Sequence, residues 1–235
     1  MNISVLIPWD TRTDCNWRKI HLSWLKRRWQ ELLWPIEICV GKNYDEPFNR
    51  SKARNSAFEQ STGDYLVVAD ADALFDASQI NLAVQAVRTM DTWCLPFGGY
   101  YNLDRETTKG VLGGVRWRDH ALKSTSELGL PPDEYEHLIE DSPGGIRVLS
   151  REMWETVGGF DESFIGWGYE DDAFRAALDV MVGKSLRLRG CNLYHMWHPV
   201  SPTDGFESPT IQHNRKLYSQ YKRAKSPAMM KKVLL

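Results

Sequence analysis

Along the first hundred positions, apolar and polar residues alternate in blocks whose period switches between strand and helix. Residues 3–7 form a short, mostly apolar run closed by Pro8, which predicts a buried strand. Leu22, Leu25, Trp29, Leu32 and Leu33 recur at helical spacing and predict an amphipathic helix over 16–33. A β-branched run over 36–40 ends at Gly41 and reads as a second strand. Residues 50–60 read as a helix, closed by the Gly63-Asp64 turn. A third strand follows at 65–69, then a helix over 78–90 with Ile80, Ala83, Val84 and Val87 on one face, then a fourth strand at 93–97.

Alternating units of this length predict a mostly parallel sheet covered by helices, a Rossmann-like α/β domain. Ligands bind such sheets beyond the carboxyl ends of the strands. Trp9 to Arg12, Gly41-Lys42-Asn43 and Asp70-Ala71-Asp72 each follow a predicted strand, so they are expected to converge on one cleft. Between 98 and 143 the periodicity fades, and glycines and charges predict long functional loops with one short helix. Order resumes with a strand over 146–149, a helix through 157, a helix over 171–182 and short strands over 185–188 and 192–197. The expected division is a domain over 1–200, with its first part at 1–97 and its second at 98–200, and a basic extension over 201–235.

Composition adds little until its distribution is examined. With 42% hydrophobic and 26% charged residues the chain reads as an ordinary soluble protein, and a net charge of -2 singles out no partner. No acid follows Glu207, whereas Arg215, Lys216, Lys222, Arg223, Lys225, Lys231 and Lys232 do. That tail is either a surface for an anionic acceptor or a solvated, partly frayed terminus. Cys15, Cys39, Cys94 and Cys191 show neither disulfide nor zinc spacing, and the apolar surroundings of Cys39 and Cys94 predict buried thiols. A reducing, cytoplasmic setting is the expectation. The run over 3–7 is too short for the apolar core of a signal peptide, and no stretch is long enough to span a bilayer.

Three clusters carry candidate chemistry. Asp70 and Asp72, at i and i+2 where a strand gives way to a loop, can both face a hard cation that bridges two phosphates. The competing reading is a pair of helix caps before 78–90. His195 and His198 follow the last predicted strand, and imidazoles complete the shell of a borderline metal such as Mn²⁺. Gly166-Trp167-Gly168-Tyr169-Glu170-Asp171-Asp172 offers glycines for close backbone approach and a Trp face for a sugar ring. Its three acids open a helix, where the macrodipole favours their ionised form and a carboxylate can act as a general base. Plain capping would account for one acid, not three.

Together these pieces resemble the GT-A glycosyltransferases, above all the galactosyltransferase family and its bacterial relatives. Gly158-Gly159-Phe160-Asp161-Glu162 leading into Gly166 to Asp172 is similar to that family's acceptor and catalytic-base motif. The segment from Phe48 to Asn55 is similar to its uridine-binding segment, Asp70-Ala71-Asp72 to its metal motif, and His195 to His198 to its late metal ligands. The resemblance implies a GT-A fold in a single domain and transfer of a hexose or N-acetylhexosamine from a UDP-sugar. Mn²⁺ or Mg²⁺ would be the cofactor. It implies that Pro8, Asp10, Arg12, Phe48, Arg50, Asn55 and Asp70 hold the nucleotide, and that Asp72, Asp70, His195 and His198 hold the metal. It implies Asp171 as base with Glu170 beside it, and Trp167, Gly168, Tyr169 and Gly145 at the acceptor or donor sugar. Tyr169 departs from the family, which has Gly there, so donor and acceptor preferences are not carried over. The acceptor stays open among glycans, lipid-linked sugars, proteins and modified nucleic acids.

Asp171-Asp172 after Glu170 favours inversion over the retaining mechanism of polypeptide N-acetylgalactosaminyltransferases, which share parts of these motifs. A nucleotidyltransferase would want a Gly-rich phosphate loop after the first strand, and Pro8-Trp9-Asp10 is not one. A non-catalytic nucleotide-sugar or carbohydrate-binding protein would keep the aromatics but need neither Asp171 nor a full metal set.

Overall fold

The computed structural model describes residues 1–10, 16–114, 137–140, 142–199 and 209–235. The chain runs β1 (Ile3–Asp10), α1 (Asn16–Trp29), β2 (Ile36–Asn43), α2 (Arg50–Glu59), β3 (Tyr65–Ala69), β4 (Ala73–Leu74), α3 (Ala77–Met90), β5 (Cys94–Leu95) and β6 (Gly99–Asn102). It continues α4 (Arg105–Leu112), β7 (His137–Glu140), β8 (Ile146–Ser150), α5 (Arg151–Val157), α6 (Glu170–Met181), β9 (Leu186–Arg187), β10 (Asn192–His195), α7 (Ile211–Arg223) and α8 (Pro227–Leu234).

Six strands form the central sheet in the order β2-β1-β3-β8-β5-β9. β1 lies parallel to both β2 and β3, and β5 lies parallel to β9. Only β8 runs against its neighbours β3 and β5. Burial explains the strand assignments. Val5, Leu6 and Ile7 of β1 and Leu66, Val67 and Val68 of β3 are buried, as apolar residues of a sheet covered on both faces must be. α3 begins at the capping box of Asp76 and Gln79 and buries Ile80, Ala83, Val84 and Val87 against the sheet. Asp76 is therefore the cap of that helix, and the reading of Asp70 and Asp72 as caps falls.

The helix expected over 16–33 stops at Trp29. The N–H groups of Gln30, Glu31 and Leu32 bond three residues back, and Pro35 disfavours further helical backbone. Leu32 is buried beyond the helix end, whereas Leu33 is exposed.

The larger departure concerns 98–143. Besides the one short helix expected, α4, the described residues of that region supply the strands β6 and β7, which join a second sheet in the order β4-β10-β6-β7. The register sets His195 opposite Asn102 on one side and Ala73 on the other. This small sheet holds the Asp70–Asp72 turn to the end of β10. Met196 N–H donates to the Asp72 carbonyl at 2.9 Å, and Leu103 N–H donates to the His195 carbonyl at 2.9 Å.

Cys39 and Cys94 are buried free thiols, as expected. The basic tail forms α7 and α8, which pack beside α6, with Tyr221 and Met230 buried and the Lys and Arg side chains outward. Among the described residues, no helix is long and apolar enough to cross a membrane.

Candidate functional site

A cleft of about 600 Å³ opens at the carboxyl ends of β1 and β3. Its walls include Pro8, Trp9 and Asp10 from β1, Phe48 and Arg50 at the start of α2, and Asp70 to Asp72. Tyr100 and Asn102 from β6, Ser142 to Gly145, Trp167 to Asp172, and His195 and His198 complete them, with Arg18 of α1.

Asp72, His195 and His198 present one ligand atom each, all within 4.8 Å of one another. Asp72 Oδ1 is 3.5 Å from His195 Nε2, and Asp72 Oδ2 is 3.2 Å from His198 Nε2. The spacing follows from the backbone bonds described above, which lock the loop after β3 to the end of β10. Burial alone would resist ionisation of Asp72, but the two imidazoles offset it and hold the carboxyl well below its ordinary value. Burial would lower His195, but Asp72 outweighs it and raises the imidazole above 6.5. A carboxylate and two imidazoles are a fitting donor set for Mn²⁺. Ligands held about 2.2 Å from a six-coordinate ion stand about 3–4.5 Å apart, which the two Asp72–His distances match.

The same cleft holds an acidic cluster built around Arg54 of α2. Its guanidinium is buried and reaches Asp70 Oδ1 at 2.9 Å, Glu170 Oε1 at 3.4 Å and Asp171 Oδ1 at 3.3 Å. Arg147 of β8, also buried, donates to Asp171 Oδ1 and to the Pro143 carbonyl. Both guanidinium groups lie over the Phe160 ring, at 4.7 Å for Arg54 and 5.3 Å for Arg147. Burial would push Asp171 up, but Arg54 and then Arg147 overcome it and hold the carboxyl below 3.8. Glu170 and Asp70 go the other way, because burial dominates and each faces the Asp171 charge.

None of the three acids that open α6 is its cap. The cap is Tyr169, in the left-handed region at φ 71°, whose side chain makes no capping bond to the helix. Glu170 instead accepts the Gly168 N–H at 3.1 Å, which closes the turn that brings Asp171 to the cleft. Gly145 is fixed by packing. Its φ is +91°, and a Cβ there would lie 2.4 Å from Leu193 and 2.7 Å from Tyr100.

Most residues singled out from the sequence meet here: Pro8, Asp10, Phe48, Arg50, Asp70, Asp72, Gly145, Trp167, Gly168, Tyr169, Glu170, Asp171, His195 and His198 all line the cleft. Arg12 lies outside the described residues. Asn55 does not line the cleft: its side chain donates to the Phe160 carbonyl and Glu162 Oε1 and accepts the Phe160 N–H. Gly41-Lys42-Asn43 is also absent from the walls, and Asn43 Oδ1 instead accepts from Asp45 and Asn49 and shapes the turn before α2. Sequence reasoning gave no role to Arg54, Arg147, Arg18 or Tyr100. For Arg147 a signal existed, since a charged residue inside the apolar strand Ile146-Arg147-Val148-Leu149 calls for a buried partner.

Two family models match the chain. One, described as glycosyl transferase family 2, covers residues 24–152, and one described as the N-terminal domain of galactosyltransferase covers residues 128–198. A search of curated proteins gives no match. Among solved structures, Staphylococcus aureus TarS 1-349 in complex with UDP-GlcNAc is similar at 13% identity, over 100% of this chain and 70% of that one, with TM-score 0.59. GalNAc-T7 with UDP, GalNAc and Mn²⁺ is similar at 14% identity over 95% and 50%, with TM-score 0.53. The catalytic domain of Drosophila β1,4-galactosyltransferase 7 with xylobiose is 18% identical over 80% and 64%, with TM-score 0.43. This chain thus spans less than two thirds of the fly enzyme's chain. TarS and GalNAc-T7 show that the fold is shared with glycosyltransferases.

Proposed function

The chain belongs to glycosyl transferase family 2, and from that premise we propose that it transfers a hexose or N-acetylhexosamine from a UDP-sugar to an acceptor hydroxyl, with inversion. The observation that carries this reading is that one cleft is lined both by a cation-ready triad, Asp72, His195 and His198, and by an anchored carboxylate, Asp171. TarS binds UDP-GlcNAc and GalNAc-T7 binds UDP, GalNAc and Mn²⁺, which supports a UDP-sugar donor and a divalent cation here.

The triad would hold Mn²⁺ or Mg²⁺, which when bound supplies a Lewis acid for the donor diphosphate. Phe48 offers a flat face to the uracil, with Pro8, Asp10 and Arg50 around the nucleoside. Arg18, on the cleft wall, adds positive charge toward the leaving diphosphate. Trp167 and Tyr169 face the sugar. Asp171 then accepts the acceptor's O–H proton as that oxygen attacks the anomeric carbon, and the bond to the β-phosphate breaks with its electron pair leaving on UDP. Arg54 and Arg147 keep Asp171 ionised and aimed, and Glu170 fixes the turn that presents it. Base assistance of this kind contributes about 10²–10⁴ in rate.

UDP binding tests the donor. UDP is expected to raise the melting temperature in the presence of Mn²⁺, by an amount set by its concentration over Kd. Stabilisation by GDP or CMP but not UDP would overturn the uridine assignment. Labelled UDP-sugars offered to glycans, lipid-linked sugars, proteins and modified nucleic acids would then identify the acceptor.

A further inference from the structure

No residue of α7 lines the cleft, yet α7 holds one of its walls. The segment from Gly166 to Tyr169 has three positive φ angles, at Gly166 (69°), Gly168 (100°) and Tyr169 (71°). Such backbone persists only where its surroundings over-determine it, above all at Tyr169, which has a Cβ. Arg50 donates to the Gly166 carbonyl at 3.0 Å and Glu170 accepts the Gly168 N–H, but one side chain makes four bonds to the loop. Asn214 is fully buried, and its Nδ2 donates to the carbonyls of Ile165 at 2.9 Å, Trp167 at 3.2 Å and Gly168 at 3.0 Å. Its Oδ1 accepts the Ile165 N–H at 3.1 Å. The amide has two hydrogens for three acceptors, so one is shared, and no other side chain of that length both donates and accepts in this way.

Other contacts converge on the same loop. The Tyr218 ring stacks on Tyr169, centroids 5.4 Å apart and planes at 21°. Thr210 Oγ1 and Ile211 Cδ1 close against Gly166 and Gly168, within 3.0 Å of where a Cβ would stand. Tyr221 donates to Asp161 Oδ2 at 2.9 Å, at the far end of the loop.

We propose that Asn214 is a positioning residue for the sugar-binding wall, and that Tyr218 fixes Tyr169 from behind, so that α7 belongs to the working site. The donor sugar and acceptor are met by Trp167 and Tyr169, and Asp171 follows two residues later. A loop freed from Asn214 would keep the nucleotide and metal walls, which hang on β1, α2, β4 and β10, and lose the sugar wall. The inference rests on the proposed transfer function for what the wall does, but not for how it is held.

Hydrogen exchange and kinetics on the same variants test it. Asn214→Asp is isosteric and removes the three donated bonds. Amides 165–169 are expected to exchange about tenfold faster or more, while 193–196 stay as in the wild type. UDP affinity in Mn²⁺ is expected within about twofold of wild type, with turnover of a UDP-sugar down about tenfold or more. Tyr218→Ala is expected to raise KM with a smaller effect on kcat, and Tyr218→Phe, which keeps the stack, to restore it. Should Asn214→Asp not fold, Tyr218→Ala carries the test, since Tyr218 is only half-buried. Unchanged exchange at 165–169 would overturn the proposal. So would loss of UDP binding in step with turnover, which would mark a general structural role. A wild-type protein that turns over no UDP-sugar would instead defeat the functional reading, while the exchange result would still decide this one.

Discussion

In the proposed reaction Asp171 is the base, and its surroundings define how it will behave. Asp171→Asn is nearly isosteric, so UDP and Mn²⁺ binding are expected to survive while turnover falls by about 10² or more. Near-normal turnover would remove Asp171 as base. Its folded pKa lies below the ordinary 3.8, so the carboxylate stays charged throughout the neutral range. The sign follows: the favourable energy of this ion pair is present above the unfolded value and lost as pH falls through the depressed folded value. An activity limb assigned to Asp171 is therefore expected below pH 3.8, and Arg147→Met is expected to move it upward. A limb that stays put in Arg147→Met would contradict the assignment. Arg54 offers a harsher test. Its removal leaves Asp70, Glu170 and Asp171 facing one another without the guanidinium that bonds all three, and Arg54→Met is expected to cost about 3–5 kcal/mol in urea unfolding. Asp171, Asp72 and His195 could be picked out in the sequence because each lies in a compact, ordered motif. Arg54 and Arg147 could not be paired with Asp171, because the three lie on α2, β8 and α6 and meet only through the fold. Asn55 misled for the opposite reason: it sits inside a motif, yet its amide is taken up by the turn at Phe160–Glu162.

Of the small sheet that holds Asp72, His195 and His198 together, β10 was expected from the sequence, whereas β4, β6 and β7 were not. β6 is four residues, Gly99-Tyr100-Tyr101-Asn102, and its partner β10 lies about ninety residues later, so neither length nor local pattern announces the second sheet. The central strands β1, β2 and β3 were legible because each buries a continuous apolar run. α4 contributes through Thr108, fully buried, whose hydroxyl accepts the Trp197 N–H at 2.9 Å between the two histidines. Thr108→Val keeps the shape and strands that N–H, a cost of about 1–3 kcal/mol. Because the bond holds the segment that carries both imidazoles, Mn²⁺ affinity is expected to fall by about tenfold, the scale of losses from outer-shell partners. Calorimetry with Mn²⁺ alone reads this, and unchanged affinity in a stably folded variant would show that the segment is held by the backbone of β10 instead.

At the scale of the molecule, sequence patterning anticipated a strand–helix alternation with ligands at the strand ends, and the cleft lies there. What it did not anticipate is that the tail, expected as a surface for an anionic acceptor or a solvated, partly frayed terminus, forms α7 and sets Asn214 and Tyr218 against the cleft's loop. The cations of α7, Arg215, Lys216, Lys222 and Arg223, are all exposed, with Lys222 Nζ 5.7 Å from the centroid of the Tyr218 ring. The whole account turns on a cleft in which cation and carboxylate act together on a UDP-sugar. The most direct measurement is release of UDP from UDP-glucose, UDP-galactose and their N-acetyl forms by protein stripped with EDTA, then supplied with Mn²⁺, alongside Asp72→Asn. The expected result is release from at least one donor with Mn²⁺, none in EDTA, and recovery in the wild type but not in Asp72→Asn. Equal release in EDTA, or release by Asp72→Asn at the wild-type rate, would contradict it.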